Sequence, residues 1–166
     1  MNETQEVLRT LSEHSRQGKP AALATIFEVK GSTYRRPGAR LLVSDDGELV
    51  GNLSGGCLEG EVEEVAREVM KSGEPRVVHY DLTADDEVVW GWGLGCNGAI
   101  GVFIEPAANA YGIADALRTA VEREQPVVLA TVLESTTEGV APGARLLVTG
   151  DEVEGSLGSE RADAVV

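Results

Sequence analysis

Apolar and polar positions alternate along the chain in blocks that predict a sequence of helices, strands and hairpins. Residues 3 to 17 place Val7, Leu8 and Leu11 on one helical face, with Asn2 and Gln5 as a capping box and Gly18 and Pro20 as the stop. Ala21 to Val29 (AALATIFEV) is a short, largely apolar run, as expected of a buried strand. Arg40 to Ser44 and Glu48 to Leu53 flank Asp45-Asp46-Gly47, which is a hairpin signal. Leu58, Val62, Val65, Ala66 and Val69 fall on one face of a second helix, closed by Gly73 and Pro75. Strands are predicted at Arg76 to Asp81 and Ala99 to Ile104, joined by an acidic connection that starts at Asp81 and runs to Glu87.

From Gly112 the pattern starts again. Ala116-Leu117-Arg118-Thr119 echoes Val7-Leu8-Arg9-Thr10, and Leu129-Ala130-Thr131 echoes Leu23-Ala24-Thr25. Pro142 to Val148 (PGARLLV) repeats Pro37 to Val43 residue for residue, and Gly155-Ser156-Leu157 answers Gly51-Asn52-Leu53. Two copies of a helix, strand, loop and hairpin unit predict an α+β domain of two pseudo-symmetric repeats, with mixed sheets packed against helices. Repeat one covers about 3–73, a glycine loop and strand 76–106, and repeat two about 110–166, all within one domain.

Residues held in both copies read as structural, and those found only in the first as candidates for chemistry. Arg40 has its match in Arg145 and falls in the first group. Lys30, Arg35 and Arg36 are answered by Ser135, Val140 and Ala141, and Ser54-Gly55-Gly56-Cys57 by Gly158-Ser159-Glu160-Arg161, so they fall in the second.

The formal net charge of −14 sharpens this contrast, because the 30–40 cluster of cations runs against the global field. Guanidinium forks pair with phosphate or carboxylate, so the cluster reads either as an anion site or as a loop balancing nearby acids. Two glycines before a helix let backbone N–H groups approach an anion, and the same field stabilises a thiolate at Cys57. The acids Glu59, Glu61, Glu63 and Glu64 occupy the same turns, so an anion site would lie on the Cys57 and glycine side. Cys57 itself reads either as a small buried residue or as a ligand-contacting thiol.

Strong acidity argues against nucleic acid and anionic membranes as partners. No apolar run reaches the roughly 20 residues needed to span a bilayer, and no signal-peptide pattern opens the chain. Cys57 and Cys96 make neither a disulfide framework nor a zinc motif, so a reduced, cytoplasmic setting is expected. Gly93 to Gly98 (GLGCNG) matches a dinucleotide fingerprint formally, but a strand follows where that fingerprint opens a helix. His14 reads as a solvated cation near a helix end, and His79 as a packed or surface residue.

The segments GSTYRRPGARLLV, GNLSGGCLEGEV and WGLGCNGAIGVFIEP, in this order, resemble the XdhC/CoxI family of maturation factors for xanthine and carbon monoxide dehydrogenases. The resemblance implies a non-catalytic chaperone that binds molybdenum cofactor (molybdopterin) transiently while its terminal sulfur is installed. It also implies partners: a molybdenum hydroxylase apoenzyme as client, a cysteine desulfurase as sulfur source, and further copies in a homo-oligomer. Carried over by motif, Gly31, Ser32, Thr33, Arg35, Arg36, Gly55, Gly56, Cys57, Glu59, Gly95 and Cys96 line the cofactor site. The arginines would contact phosphate, the glycines cradle it through backbone N–H groups, and Cys57 stand nearest the metal, with Cys96 second. Asn97 stands where the family often has a second glycine. Many members continue into a carboxyl-terminal Rossmann domain that this sequence does not include. Two other readings compete. One is a sulfur-transfer enzyme with Cys57 as nucleophile or carrier and Glu59 as proton acceptor, and the other a module that docks a partner dehydrogenase through its acidic surface.

Overall fold

The computed structural model describes residues 3–81, 97–150 and 152–166, excepting the Asn97 side chain. The elements run α1 (Glu3–Gln17), β1 (Ala21–Ser32), β2 (Arg40–Ser44), β3 (Leu49–Gly51), α2 (Glu59–Ser72), β4 (Arg76–Asp81) and β5 (Asn97–Pro106). They continue as α3 (Ala108–Glu122), β6 (Val128–Thr131), β7 (Arg145–Thr149), β8 (Glu152–Ser156) and the short α4 (Glu160–Asp163). The fold is α+β.

Five strands form one sheet in the order β3-β2-β1-β5-β4, and three form another in the order β6-β7-β8. All six pairings among the described residues are antiparallel, which corrects the expectation of mixed sheets. Short connections such as 33–39 and 45–48 return the chain beside the strand it has just left, and parallel pairing needs a longer crossover.

β1 is apolar on both sides because both sides are covered. Ala22, Ala24 and Ile26 pack with Leu41, Val43, Val62, Ala66 and Val69 beneath α2. Ala21, Leu23 and Leu42 pack on the opposite face with Val7 and Leu11 of α1 and Ala110 and Ala114 of α3. Leu8, Ile113 and Leu117 of these two helices then meet Leu147 of the smaller sheet. α1 and α3 thus share one apolar layer with the large sheet and another with the small one.

β1 extends beyond its predicted end at Val29 to Ser32. β5 pairs with it throughout, from Ala22↔Pro106 to Ser32↔Asn97, with a register shift between Ile26 and Glu28. β2 leaves β1 at Thr25↔Arg40, so the last residues of β1 project past the core with β5 alone for support.

The echoing segments adopt matching local pairings. Thr25 faces Arg40 and Thr131 faces Arg145; Leu41 faces Gly51 and Leu146 faces Gly155. The resemblance stops at the sheet edge: repeat one shares a sheet with β5 and β4, and repeat two forms a sheet of its own.

A buried ion pair joins the units. Arg145 Nη1 donates to Glu105 Oε2 at 2.9 Å, Nη2 donates to Glu105 Oε1, and Nη1 also reaches the Gly143 carbonyl at 2.9 Å. Glu105 is fully buried. Burial pushes its carboxyl above the ordinary value, opposed by Arg145, Asn109 and the charge of Arg40.

His14 is buried, not solvated as the sequence suggested, because the last turn of α1 lies against β2. Its Nε2 is 3.4 Å from Ser44 Oγ, and Nδ1 has no hydrogen-bond partner among the described residues. Burial, then the Lys19 charge, lowers its pKa below 6.5, against the pull of Glu48, Asp46 and Asp45. His79 is exposed, 3.8 Å from Glu28 and edge-on to Phe27.

Both buried groups set measurable terms in stability. Replacing Glu105 by Leu strands the Arg145 guanidinium and is expected to cost about 3–5 kcal/mol in urea unfolding, while Glu105→Leu with Arg145→Met recovers most of it. The unfolded chain takes up a proton at His14 more readily than the folded one. Stability is therefore fully present above pH 6.5 and declines as pH falls below it, and His14→Gln should flatten that slope in a thermal-melt pH series.

Candidate functional site

The three segments that stand out in the sequence converge at one end of the large sheet. Gly31 and Ser32, at the end of β1, pair with Gly98 and Asn97 at the start of β5. Their backbones lie so close that a side chain on Gly98 would overlap the Lys30 carbonyl and stand 2.8 Å from that of Ser32. The loop that follows β1 carries Tyr34 onto Gly55, where a methyl group would sit 3.2 Å from the ring. Gly55 also has φ +79°, so both its backbone and its neighbour call for glycine.

Thr33 Oγ1 donates to the Arg35 carbonyl at 2.8 Å and tightens the loop. The Arg35 guanidinium pairs with Glu3 of α1, so it anchors the loop to the first helix. Arg36 is exposed, and Lys30 lies 3.4 Å from Glu28. Cys57 is half-buried and packs against the core under α2.

The glycine turn is organised differently from the expected phosphate cradle. Its amides are already engaged by the chain's own side chains. The Glu59 carboxylate accepts from Leu53 N (3.2 Å), Ser54 N (2.9 Å), Ser54 Oγ (2.6 Å), Gly56 N (3.0 Å) and Leu58 N (3.2 Å). Ser54 Oγ accepts from Cys57 N (3.0 Å) and Leu58 N (2.8 Å), and Asn52 Oδ1 accepts from Gly55 N (2.8 Å). Every amide from Leu53 to Leu58 therefore has an internal acceptor.

This is the behaviour of a nest of N–H groups at a helix start, filled by an anion that the chain supplies. Burial works against ionisation of Glu59, but the bonds from Ser54, Leu53 and its own backbone N–H together hold the carboxyl below the ordinary value of 4.5. A carboxylate so loaded with donors is a poor proton acceptor. Glu59 is accordingly the keystone of the turn and not the base required by the sulfur-transfer reading.

The hydrogen-bonding roles of Asn52, Ser54 and Glu59 and the place of Tyr34 against Gly55 were not read from the sequence. A signal for Glu59 was present: Leu157 N donates to Asp163 Oδ1 at 2.6 Å, and Asp163 follows Leu157 by the same interval that separates Leu53 from Glu59. Of the expected site residues, Gly31 and Ser32 meet the start of β5, Gly55 lies under Tyr34 of the loop that holds Thr33 and Arg35, and Gly56 and Glu59 share the hydrogen-bonded turn that leads to Cys57; Arg36 is exposed on that loop. Gly95 and Cys96 lie outside the described residues. Among the described residues no group of three or more His, Cys, Asp or Glu side chains is placed to hold a metal ion.

The fold itself has a solved counterpart. A crystal structure described as a xanthine dehydrogenase from Bacillus halodurans superposes with a TM-score of 0.71 and 33% identity, over 94% of this chain and 45% of that one. The chain belongs to the XdhC and CoxI family, whose pattern it matches over residues 14–81 and 120–166. It is 42% identical over 88 residues to a probable xanthine dehydrogenase subunit of Bacillus subtilis (strain 168), covering 51% of this chain and 26% of that protein. It is 32% identical over 124 residues to the molybdenum cofactor insertion chaperone PaoD of Escherichia coli (strain K12), covering 74% of this chain and 37% of that one. The chain thus spans less than half the length of each of these relatives. No helix among the described residues is long and apolar enough to cross a membrane.

The keystone role of Glu59 is directly testable. Glu59→Ala removes the acceptor of four amides and is expected to cost roughly 1–3 kcal/mol, with faster amide hydrogen exchange concentrated at Leu53 to Leu58. Because the Glu59 carboxyl is held below its ordinary value, the protection it confers is complete above pH 4.5 and is lost as pH falls through the lowered value. Glu59→Gln should remove that pH dependence and retain part of the protection.

Proposed function

We propose that this chain is the cofactor-handling part of a maturation factor: it holds molybdenum cofactor transiently and passes it to a molybdenum hydroxylase apoenzyme. The observation that carries the reading is the convergence of three segments distant in sequence, through Tyr34 on Gly55 and Ser32 opposite Asn97. The PaoD relative, a molybdenum cofactor insertion chaperone, supports the same reading.

As cargo, the cofactor brings a phosphate and a metal already bound by dithiolene sulfur, so the protein has no need to supply a full metal cage. The side chains suit this division. Arg36 offers an exposed guanidinium for the phosphate, with Arg35 beside it in sequence but engaged by Glu3. Cys57 offers a soft sulfur suited to the metal end. Gly56 contributes a bare, exposed surface in place of N–H donors, since its amide and that of Gly55 are committed to Glu59 and Asn52. A turn closed by its own carboxylate is folded before cargo arrives, so binding need not order it.

In this role the protein performs no turnover of its own. A cysteine desulfurase provides the sulfur, the protein works in the cytoplasm as a homo-oligomer, and its acidity favours protein partners over nucleic acid or membrane. The competing sulfur-transfer enzyme needs a base beside Cys57, and Glu59 is spent on the turn.

The test is a titration of the purified chain with molybdenum cofactor, with bound pterin read by fluorescence after oxidation. Wild type should bind, and both Cys57→Ala and Arg36→Ala should bind at least about tenfold more weakly while melting at the wild-type temperature. A folded wild type that retains no pterin would overturn the reading for this chain.

A further inference from the structure

A second recess lies away from the Cys57 turn, where the two repeats meet. It is a cavity of about 320 Å³, a volume within the range of about 300–1,000 Å³ common for small-molecule sites. Leu23 and Phe103 of the large sheet, Ala114 and Leu117 of α3, and Leu129 of β6 form part of its apolar wall. Arg40 and Arg145 line it too, each beside the threonine that faces it in register, Thr25 and Thr131.

The charges in this recess do not balance. Glu105 is the one buried carboxylate among the described residues, and both of its oxygens are taken by Arg145. The hydrogen bond shown for Arg40 goes to its own loop, from Nη1 to the Gly38 carbonyl at 3.2 Å. Burial, then the neighbouring Arg145 charge, lowers the pKa of Arg40, and Glu105 only partly offsets this. A guanidinium nevertheless keeps its proton in a protein, so two cations share one anion at an apolar wall. Arg40 is half-buried at this wall with no carboxylate fork of its own among the described residues, and an anion that enters the recess gains a charge-assisted pair there.

We propose that this cavity is a binding site for a small organic acid with an apolar body, its carboxylate meeting Arg40 and its hydrocarbon lying along Leu23, Leu117 and Leu129. The site is separate from the molybdenum cofactor reading and does not depend on it. An inorganic anion would satisfy the charge but leave the apolar wall uncovered, and a neutral hydrocarbon would do the reverse. The combination of the two surfaces selects a molecule that carries both.

Octanoate, octanamide and sulfate are the probes, titrated into the intact chain and followed by calorimetry and by methyl NMR shifts of the leucines. Octanoate should bind, shift Leu23, Leu117 and Leu129, and exceed both octanamide and sulfate in affinity by about tenfold or more. Arg40→Gln should bring octanoate down to the level of octanamide, and Arg40→Lys should retain a preference for the acid. Equal affinity for octanoate and octanamide in wild type, shifts confined to other parts of the protein, or no binding would each overturn the proposal. The wild-type comparison decides the matter even where a variant fails to fold. None of these readouts involves pterin, so their failure is distinct from failure of the chaperone reading.

Discussion

A strand that is apolar on both faces cannot rest at a surface, and β1 is such a strand as far as Ile26. Its Ala22, Ala24 and Ile26 side needs one cover and its Ala21 and Leu23 side another, so α2 must lie on one face and α1 with α3 on the other. The burial of these two sides is the main source of the fold's cohesion. It also explains where the candidate site lies. Past Ile26 the strand becomes polar, parts from β2 and projects with β5 alone, carrying Gly31 and Ser32 to the rim where the glycine turn lies.

At that rim the protein has solved an electrostatic problem with its own material. The start of α2 and the glycine turn gather a set of N–H groups that attract negative charge, and Glu59 reaches back to supply it. Ser54 extends the arrangement by donating to Glu59 and accepting from Cys57 and Leu58. The turn that presents Cys57 is therefore held by hydrogen bonds within the chain. In the second repeat Asp163 performs a smaller version of the same closure, through Ser156 and Leu157, without a glycine pair or a cysteine.

The paired arginines tell a related story about duplication. Arg40 and Arg145 occupy matching registers, yet only Arg145 has a carboxylate fork around it. A residue kept in both copies is not thereby equal in both. Its worth depends on the neighbours that tertiary structure places around it.

Local pattern alone determined most of the elements in this protein. The periodicity of α1, the Gly73 stop of α2, the Arg76 to Asp81 strand and the hairpin at Asp45-Asp46-Gly47 were legible because each depends on neighbours a few residues apart. The repetition of PGARLLV and the motifs of the XdhC and CoxI family were legible for the same reason, as strings of residues. Tertiary structure decided what depends on residues distant in the chain. It extended β1 to Ser32 by pairing it with β5, made both sheets antiparallel, and buried His14 against β2. It turned Glu59 from an apparent rival of an anion site into the anion that fills it, and joined Glu105 to Arg145 across 40 residues of sequence. Hydrogen bonds and burial are set by which surfaces meet in space, and sequence spacing does not carry that information beyond a few turns of helix or strand.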